Sequence, residues 1–351
     1  MDTLTHGLAG ALIGRAGGAR QAAGAVVATA AAAAMFPDID AFFLPGSWFR
    51  LGDTMSYLRY HRGVTHSFVL APLFAAGIAL IAWRLARRPA FSALFAAALA
   101  GIVSHILFDW ITSYGTMFFA PLSWKRYSLD WVFILDPYFT GIPVAALLLS
   151  LFLRGRGRAV GAAGTILLFG YVAFCGAMHR RALSEARRLF PAASVAALPQ
   201  PLSPRRWALF ADHGDRIDVA YVRLGDGPAP RSAPSPPSSR AGGILEELRM
   251  AYRPSGSAPV ERFATEEADP PVVAARRFPD VSDWHRFARF PIAKVEPLAD
   301  GGARVTFTDL RFRGPWGRPA FQYEVLMSPD GRERASGFVR LFVTQDETRR
   351  K

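Results

Sequence analysis

The amino-acid sequence predicts a mainly α protein: a polytopic transmembrane helix bundle of about five spans plus a short N-terminal helix, then a small β-rich soluble domain. Three observations carry this reading. Mean hydropathy is +0.17 and 51% of residues are hydrophobic, high for a soluble chain. Charge is unevenly placed: Met1–Met178 holds 13 Lys and Arg, seven Asp and no Glu, whereas the remainder holds 28 basic and 21 acidic residues. Finally, the second half replaces long apolar runs with short stretches that alternate apolar and polar residues, the period of a half-buried strand.

Five apolar stretches, near 21–36, 67–83, 90–110, 132–153 and 159–178, approach the length needed to cross a hydrocarbon core of roughly 30 Å. The shorter run Leu4–Gly14 is either re-entrant or continues into the next run through Gly17 and Gly18. Residues 179–190 read as an amphipathic juxtamembrane helix, and after Pro191 the chain becomes Pro-rich. Trp207–Val222 reads as a hairpin turning at His213-Gly214-Asp215. A Pro/Ser-rich segment near 225–243 reads as a linker or disordered loop. Residues 303–312 and 320–343 read as antiparallel strands with turns at Asp300-Gly301 and Asp330-Gly331. The expected domains are therefore 1–180 in the membrane, 181–205 as helix and linker, and 206–351 as the β-rich extramembrane part.

Loop charge gives an orientation. Short loops at Arg15–Arg20, Arg84–Arg88 and Arg154–Arg158 concentrate eight Arg. The opposite loops spread Arg50, Arg59, Arg62, Lys125 and Arg126 over longer segments. Positive charge in short loops favours the cytoplasm, although Arg180, Arg181, Arg187 and Arg188 follow the last span on the other side. The chain is thus expected in a bacterial-type inner membrane, with loops 37–66 and 111–131 and everything after His179 outside. Net charge of +13 sits in loops or is mixed with acids, which suits an anionic lipid surface and argues against a nucleic-acid partner. Cys175 is the lone cysteine, which excludes an intrachain disulfide. The first residues lack the basic region of a cleaved signal peptide.

The membrane half carries imidazoles and carboxylates at unusual density. His105 and Asp109 are four apart in a predicted helix and share a face; such a pair can chelate one ion and is expensive in a membrane unless paired or functional. Asp38 and Asp40 follow Pro37 at the exit of an apolar run. Their spacing favours Asp40 as a ligand, with Asp38 a ligand or a supporting carboxylate. His61 and His66 flank Gly63, which puts His61 in a loop and His66 at the start of a span, where Thr65 or Ser67 would cap the helix. His6 lies near the first apolar run. Asp136, before Pro137, reads as a ligand, a proton relay or an ion-pair partner; Asp130 reads as interfacial, and His179, His213 and His285 as structural or surface residues. On the expected topology these groups gather at the outer side. Six or seven such ligands at one depth would repel one another and cost desolvation unless a cation held them. The expected metal ligands are His6, Asp40, His61, His66, His105 and Asp109, holding one or two divalent ions. The mix of nitrogen and oxygen donors fits zinc best, with manganese or iron as alternatives.

Taken together, THGLAGALIG, FPDID, YHRGVTHS and SHILFDWITSYGT resemble the membrane-bound metal-dependent hydrolases of the YdjM/YbcI type, over roughly residues 1–180. That family looks distantly similar to zinc-dependent phospholipase C and P1 nuclease. The resemblance aligns His105 and Asp109 with a His-x-x-x-Asp zinc-binding step, Asp40 with a loop carboxylate and His66 with a further His. This half has no Glu, so a proton acceptor must be an Asp or the activated water itself. The resemblance implies an integral-membrane hydrolase acting by metal-activated water, on a phosphoester or lipid-like amphiphile in preference to a carboxyl ester or amide. Asp38 and Asp109 would orient the water or take its proton. Arg62, with Lys125 or Arg126, would hold an anionic group. The alternatives are a non-catalytic, metal-stabilised membrane scaffold or stress protein whose β domain binds a partner, and a transporter using Asp136 and His105 as a proton or ion path.

Overall fold

A computed structural model of the chain describes all residues except 18–22, 44–53, 87–89, 154, 226–246, 248–249, 266–267, 318–320 and 340–351. Most of the Pro/Ser-rich segment near 225–243 lies outside the described residues, as do Gly18, Arg50, Arg87, Arg88 and Arg154. The chain divides into two compact units, Met1–Ser184 with Ala197–Trp207, and Glu185–Ala196 with Ala208–Lys351.

Among the described residues, eight helices fall in the first part of the chain: α1 (Thr3–Gly17), α2 (Ala23–Met35), α3 (Asp40–Phe43), α4 (Thr54–Tyr60), α5 (Ala71–Leu85), α6 (Phe91–Trp110), α7 (Pro137–Phe152) and α8 (Gly157–Leu189). Helices α1 and α2 are separate, antiparallel elements packed on small residues, so the first two apolar runs are not one continuous helix. A Cβ at Gly10 would sit 2.6 Å from the Ala30 carbonyl oxygen, and one at Gly101 of α6 would sit 2.4 Å from that same oxygen. The Ala-rich α2 is therefore clamped at backbone distance between α1 and α6, which glycine alone permits. One apolar core joins Leu12, Phe108, Val132, Phe139, Leu168 and Cys175; another joins Ala33, Ala71, Ala75, Ala98, Ile102, Ile106 and Phe118.

The expectation of five spans is not supported. Among the described residues two helices, α6 and α8, are long and apolar enough to cross a membrane. A third span arises if Met55–His66 and α5, bent by 73°, count as one. The apolar runs 21–36 and 132–153 give shorter helices. Pro37 ends α2 after 13 residues in a 3-10 turn, Phe36–Ile39. Asp136 starts α7 four residues later than the hydropathy suggests, accepting from the Tyr138 and Phe139 amides as an N-cap, and leaves 16 helical residues. Helices of 13 and 16 residues measure about 20 and 24 Å at 1.5 Å per residue, short of the hydrocarbon thickness. At the other extreme, the expected juxtamembrane helix 179–190 is no separate element: α8 runs unbroken for 33 residues through it.

The C-terminal part is β-rich. One four-stranded sheet has the order β1 (Ser194–Pro199), β2 (Arg206–Asp212), β3 (Arg216–Arg223), β4 (Val260–Ala264). A second has the order β5 (Pro291–Pro297), β6 (Ala303–Asp309), β7 (Gln322–Met327), β8 (Glu333–Phe338), all antiparallel. The turns read from the sequence fall between β2 and β3, β5 and β6, and β7 and β8, with Gly214, Gly301 and Gly331 at positive φ. Two short helices, α9 (Pro270–Ala275) and α10 (Pro279–Phe287), accompany the second sheet; α10 buries Val281, Trp284 and Phe287 from one face.

Candidate metal centre

The site forms where three chain reversals meet at one end of the bundle. Helix α6 contributes His105 and Asp109 from one face of its last two turns. The 3-10 turn after α2 contributes Asp38, and a second 3-10 turn, Val64–His66, contributes His66. His66 precedes α5 by several residues rather than starting it. The expected cap is also absent: Leu70 is the N-cap of α5 without a side-chain bond, while Thr65 turns to Asp40 and Ser67 to the Ala120 carbonyl.

Asp38, His66, His105 and Asp109 each aim one atom at a common point, all four within 4.8 Å of one another, and all four residues are buried. The two His Nε2 atoms are 3.1 Å apart. Asp38 Oδ1 is 3.6 Å from His66 Nε2 and 3.5 Å from His105 Nε2. Asp109 Oδ2 is 3.3 Å from His66 Nε2 and 3.5 Å from His105 Nε2. Bonds of about 2.0–2.1 Å to a tetrahedral zinc-like ion imply ligand–ligand edges of about 3.3–3.4 Å. Five edges of this group scatter around that value, so the four atoms could hold a metal ion.

Hydrogen bonds outside the group assign the tautomers. His105 Nδ1 donates to the Ala34 carbonyl at 2.6 Å. His66 Nδ1 donates to Thr65 Oγ1 at 3.0 Å, and that hydroxyl donates onward to Asp40 Oδ2 at 3.1 Å. In its neutral form each imidazole would therefore present an Nε2 lone pair inward. Two lone pairs at 3.1 Å repel unless a cation, proton or metal, lies between them. The carboxylates divide in the same way. Asp38 Oδ2 accepts from Thr3 Oγ1 at 2.7 Å, leaving Oδ1 to the group. Asp109 Oδ1 accepts from His6 Nε2 at 3.2 Å and from the Met1 amino group. Asp109 Oδ2 is buried without a hydrogen-bond donor; Arg62 Nε lies 3.0 Å away as an ion pair, off the hydrogen-bond axis. A carboxylate oxygen without a hydrogen-bond donor that also faces two imidazole nitrogens could accept a metal ion as well.

The remaining expected ligands surround this group without joining its four atoms. His6 stacks on the His105 ring, centroids 3.6 Å apart. His61 donates Nδ1 to Asp40 Oδ1 at 2.8 Å and stacks on Tyr57. Asp40 also accepts from the Arg62 amide and approaches His66 Nδ1 at 3.6 Å. Burial opposes the charge on Asp40, but the His66 and His61 imidazoles and the Arg62 amide hold its carboxyl below the usual range. The two Asp of the turn thus exchange the emphasis read from the sequence: Asp38 faces the group and Asp40 braces it. Arg62 is buried in the left-handed region (φ 62°), donates Nη1 to Thr112 Oγ1 at 3.0 Å and lies over Tyr114. Lys125 is exposed on a later loop, while Arg126 is tied to the Gly115 and Leu58 carbonyls. Asp136 serves as the helix cap and accepts from Tyr171. His213 pairs with Asp218, and His179 and His285 lie against aromatic rings. Thr3, Thr112 and the Ala34 carbonyl escaped the sequence reading, and Thr65 was read only as a helix cap; its place beside His66 in the THS motif was the available signal.

The fold and the site define a class: an apolar helical bundle with a His/Asp group that could hold a metal ion buried at one end. Residues 1–182 match the YdjM inner membrane protein family, and the chain belongs to it. It is also similar to the uncharacterized protein YfhP of Bacillus subtilis (strain 168), 29% identical over 145 residues, 39% of this chain and 42% of that protein. The chain thus aligns with less than half the length of that curated relative. No solved structure matches.

Proposed function

We propose that this protein is an integral-membrane, metal-dependent hydrolase, with zinc as its ion and a phosphoester or lipid-like amphiphile as its substrate class. The observation that supports it is the donor set. Structural zinc sites are built from Cys and His. This group has two imidazole nitrogens, two carboxylate oxygens and no thiolate, the harder mixture of hydrolytic centres. A bound divalent ion would supply Lewis acidity toward a phosphoryl oxygen and an acidified water near neutral pH. The chain's own part is to aim Nε2 of His66 and His105 at the ion, to divide each Asp between support and site, and to keep Arg62 as a fixed positive charge beside Asp109. In this reading His66, His105 and Asp109 would hold the ion, and Asp38 would take the proton of a water in the fourth position, because its side chain keeps 8% exposure while those of the other three have none. Approach is thereby directed to the Asp38, Asp40 and His61 side.

The same burial favours a second reading, a closed site that stabilises a non-catalytic membrane scaffold. One experiment separates them. Detergent-purified wild type should carry about one zinc per chain by elemental analysis, and His105→Ala and Asp109→Ala should lose it. Wild type alone should hydrolyse bis(p-nitrophenyl) phosphate or phospholipid in mixed micelles. Unchanged metal content in both variants removes the site. Bound metal without turnover of phosphodiester, phospholipid or ester probes selects the scaffold.

A further inference from the structure

The connection after α6 carries a feature that the metal centre does not use. Phe119, Leu122 and Trp124 are 44, 79 and 48% exposed, and Pro121 and Lys125 beside them are exposed too. Tyr60, 43% exposed, meets Trp124 edge-on at 6.1 Å. Arg59 and Lys125 hold their cations over the Tyr60 and Tyr127 rings, at 5.9 and 5.4 Å.

This lip is bound rigidly to the segment that supplies the site. The Met117 amide donates to the Arg62 carbonyl at 2.9 Å, and the Phe68 amide to the Phe118 carbonyl at 2.9 Å. Ser67 Oγ donates to the Ala120 carbonyl. At Gly63, between His61 and His66, a Cβ would lie 2.8 Å from the Tyr60 carbonyl oxygen and 3.3 Å from the Trp124 ring. From Phe68, bonded to the lip, the chain runs through the exposed Val69 into α5, where Leu73, Leu80, Ile81 and Leu85 are exposed.

Apart from Arg84 in its last turn, that α5 face is apolar, as a lipid-tail surface should be. The lip differs from it: rings with polar edges alternate with cations. Trp and Tyr with Lys and Arg on flexible stems is the composition selected at headgroup depth, where apolar bodies enter the acyl region and polar tips stay wet. Cations there attract acidic phospholipids.

We propose that Tyr60, Phe119, Leu122, Trp124 and Lys125 form an interfacial lip that inserts into one leaflet and binds acidic phospholipid headgroups, fixing the metal centre at headgroup depth. The inference concerns where the lip lies and does not rest on hydrolysis.

The test uses the full chain with Cys175→Ser, spin-labelled at Leu122→Cys, in vesicles of phosphatidylcholine with and without phosphatidylglycerol. A label at Asp215→Cys, on an exposed turn, gives the aqueous reference. The expected result is high collision with oxygen and low collision with a water-soluble nickel chelate, as for a site inside the phosphate plane. Lys125→Glu should move the label outward only when phosphatidylglycerol is present. Collision rates equal to those at position 215 overturn the proposal. So does occlusion from both oxygen and nickel, which means that a protein covers the lip. A Lys125→Glu variant indistinguishable in both vesicle types overturns the acidic-headgroup part. Metal content of the labelled protein, read in parallel, shows that the bundle is intact.

Discussion

At the residue scale, the centre depends on groups that never touch its focal point. Asp40 is the end of a relay from His66 Nδ1 through Thr65, and outer partners of this kind set ring orientation and basicity. Asp40→Asn should therefore weaken zinc binding about 10–100-fold without abolishing it, measured by chelator competition; affinity equal to wild type would show that the relay is ornamental. Arg62 acts through charge. Removing it leaves Asp109 buried and less compensated, a change that typically costs about 3–5 kcal/mol. Arg62→Ala should lower unfolding stability of the chelator-stripped protein in detergent by about that amount, and added zinc should narrow the gap because the ion supplies the missing positive charge. An equal loss with and without zinc would assign Arg62 a packing role only. The His105–Asp109 step was legible in the sequence because a helix fixes what lies four residues on. The choice between Asp38 and Asp40 was not, since it turns on a 3-10 turn and on bonds to residues as distant as Thr3 and Arg62.

At the element scale, the site is as precise as the packing of α2 against α6. His105 reaches across that contact to the Ala34 carbonyl, one turn from where Gly101 admits the Ala30 carbonyl at backbone distance. Gly101→Val must push α2 away, because the obstructing atom is backbone and cannot rotate aside. It should cost zinc occupancy although no ligand is changed. Gly77→Val on α5, where a Cβ meets nothing within 4 Å, is the matched control. Retained zinc in Gly101→Val would mean that the bundle absorbs the strain elsewhere. The Ala/Gly composition of these helices was visible in the sequence as weak hydropathy, which understates how closely they pack. Hydropathy overstated the length of α7 for a plain reason: it counts apolar residues through Asp136 and Pro137, where the hydrogen-bond ladder actually starts. The β-rich part was easier to read, because Gly-containing turns punctuate period-2 stretches, although β1, β4 and the flanking helices gave no comparable signal.

At the scale of the whole molecule, the helix order sorts the loops by end. His6 on α1, the turn before α5 and the last turns of α6 all meet at the centre, so the opposite ends of α1, α5 and α6 lie away from it. The start of α8 joins them: Arg158 Nε donates to the Ala16 carbonyl at 3.2 Å. Arg15, Arg84, Arg156 and Arg158, the described members of the Arg-dense loops, thus belong to the end remote from the centre. The charges near the centre count for less than their number suggests. Arg62 is buried against Asp109, and Arg126 is committed to two carbonyls, so neither is a freely hydrated charge that resists translocation. We therefore expect the Arg-dense end in the cytoplasm, with the centre and the start of the β-rich part outside. A green fluorescent protein fused after Lys351 should stay dark, because it does not mature after export in unfolded form, while alkaline phosphatase at the same point should be active. The reverse pair of signals would place the centre on the cytoplasmic face, and any substrate would then have to come from the inner leaflet.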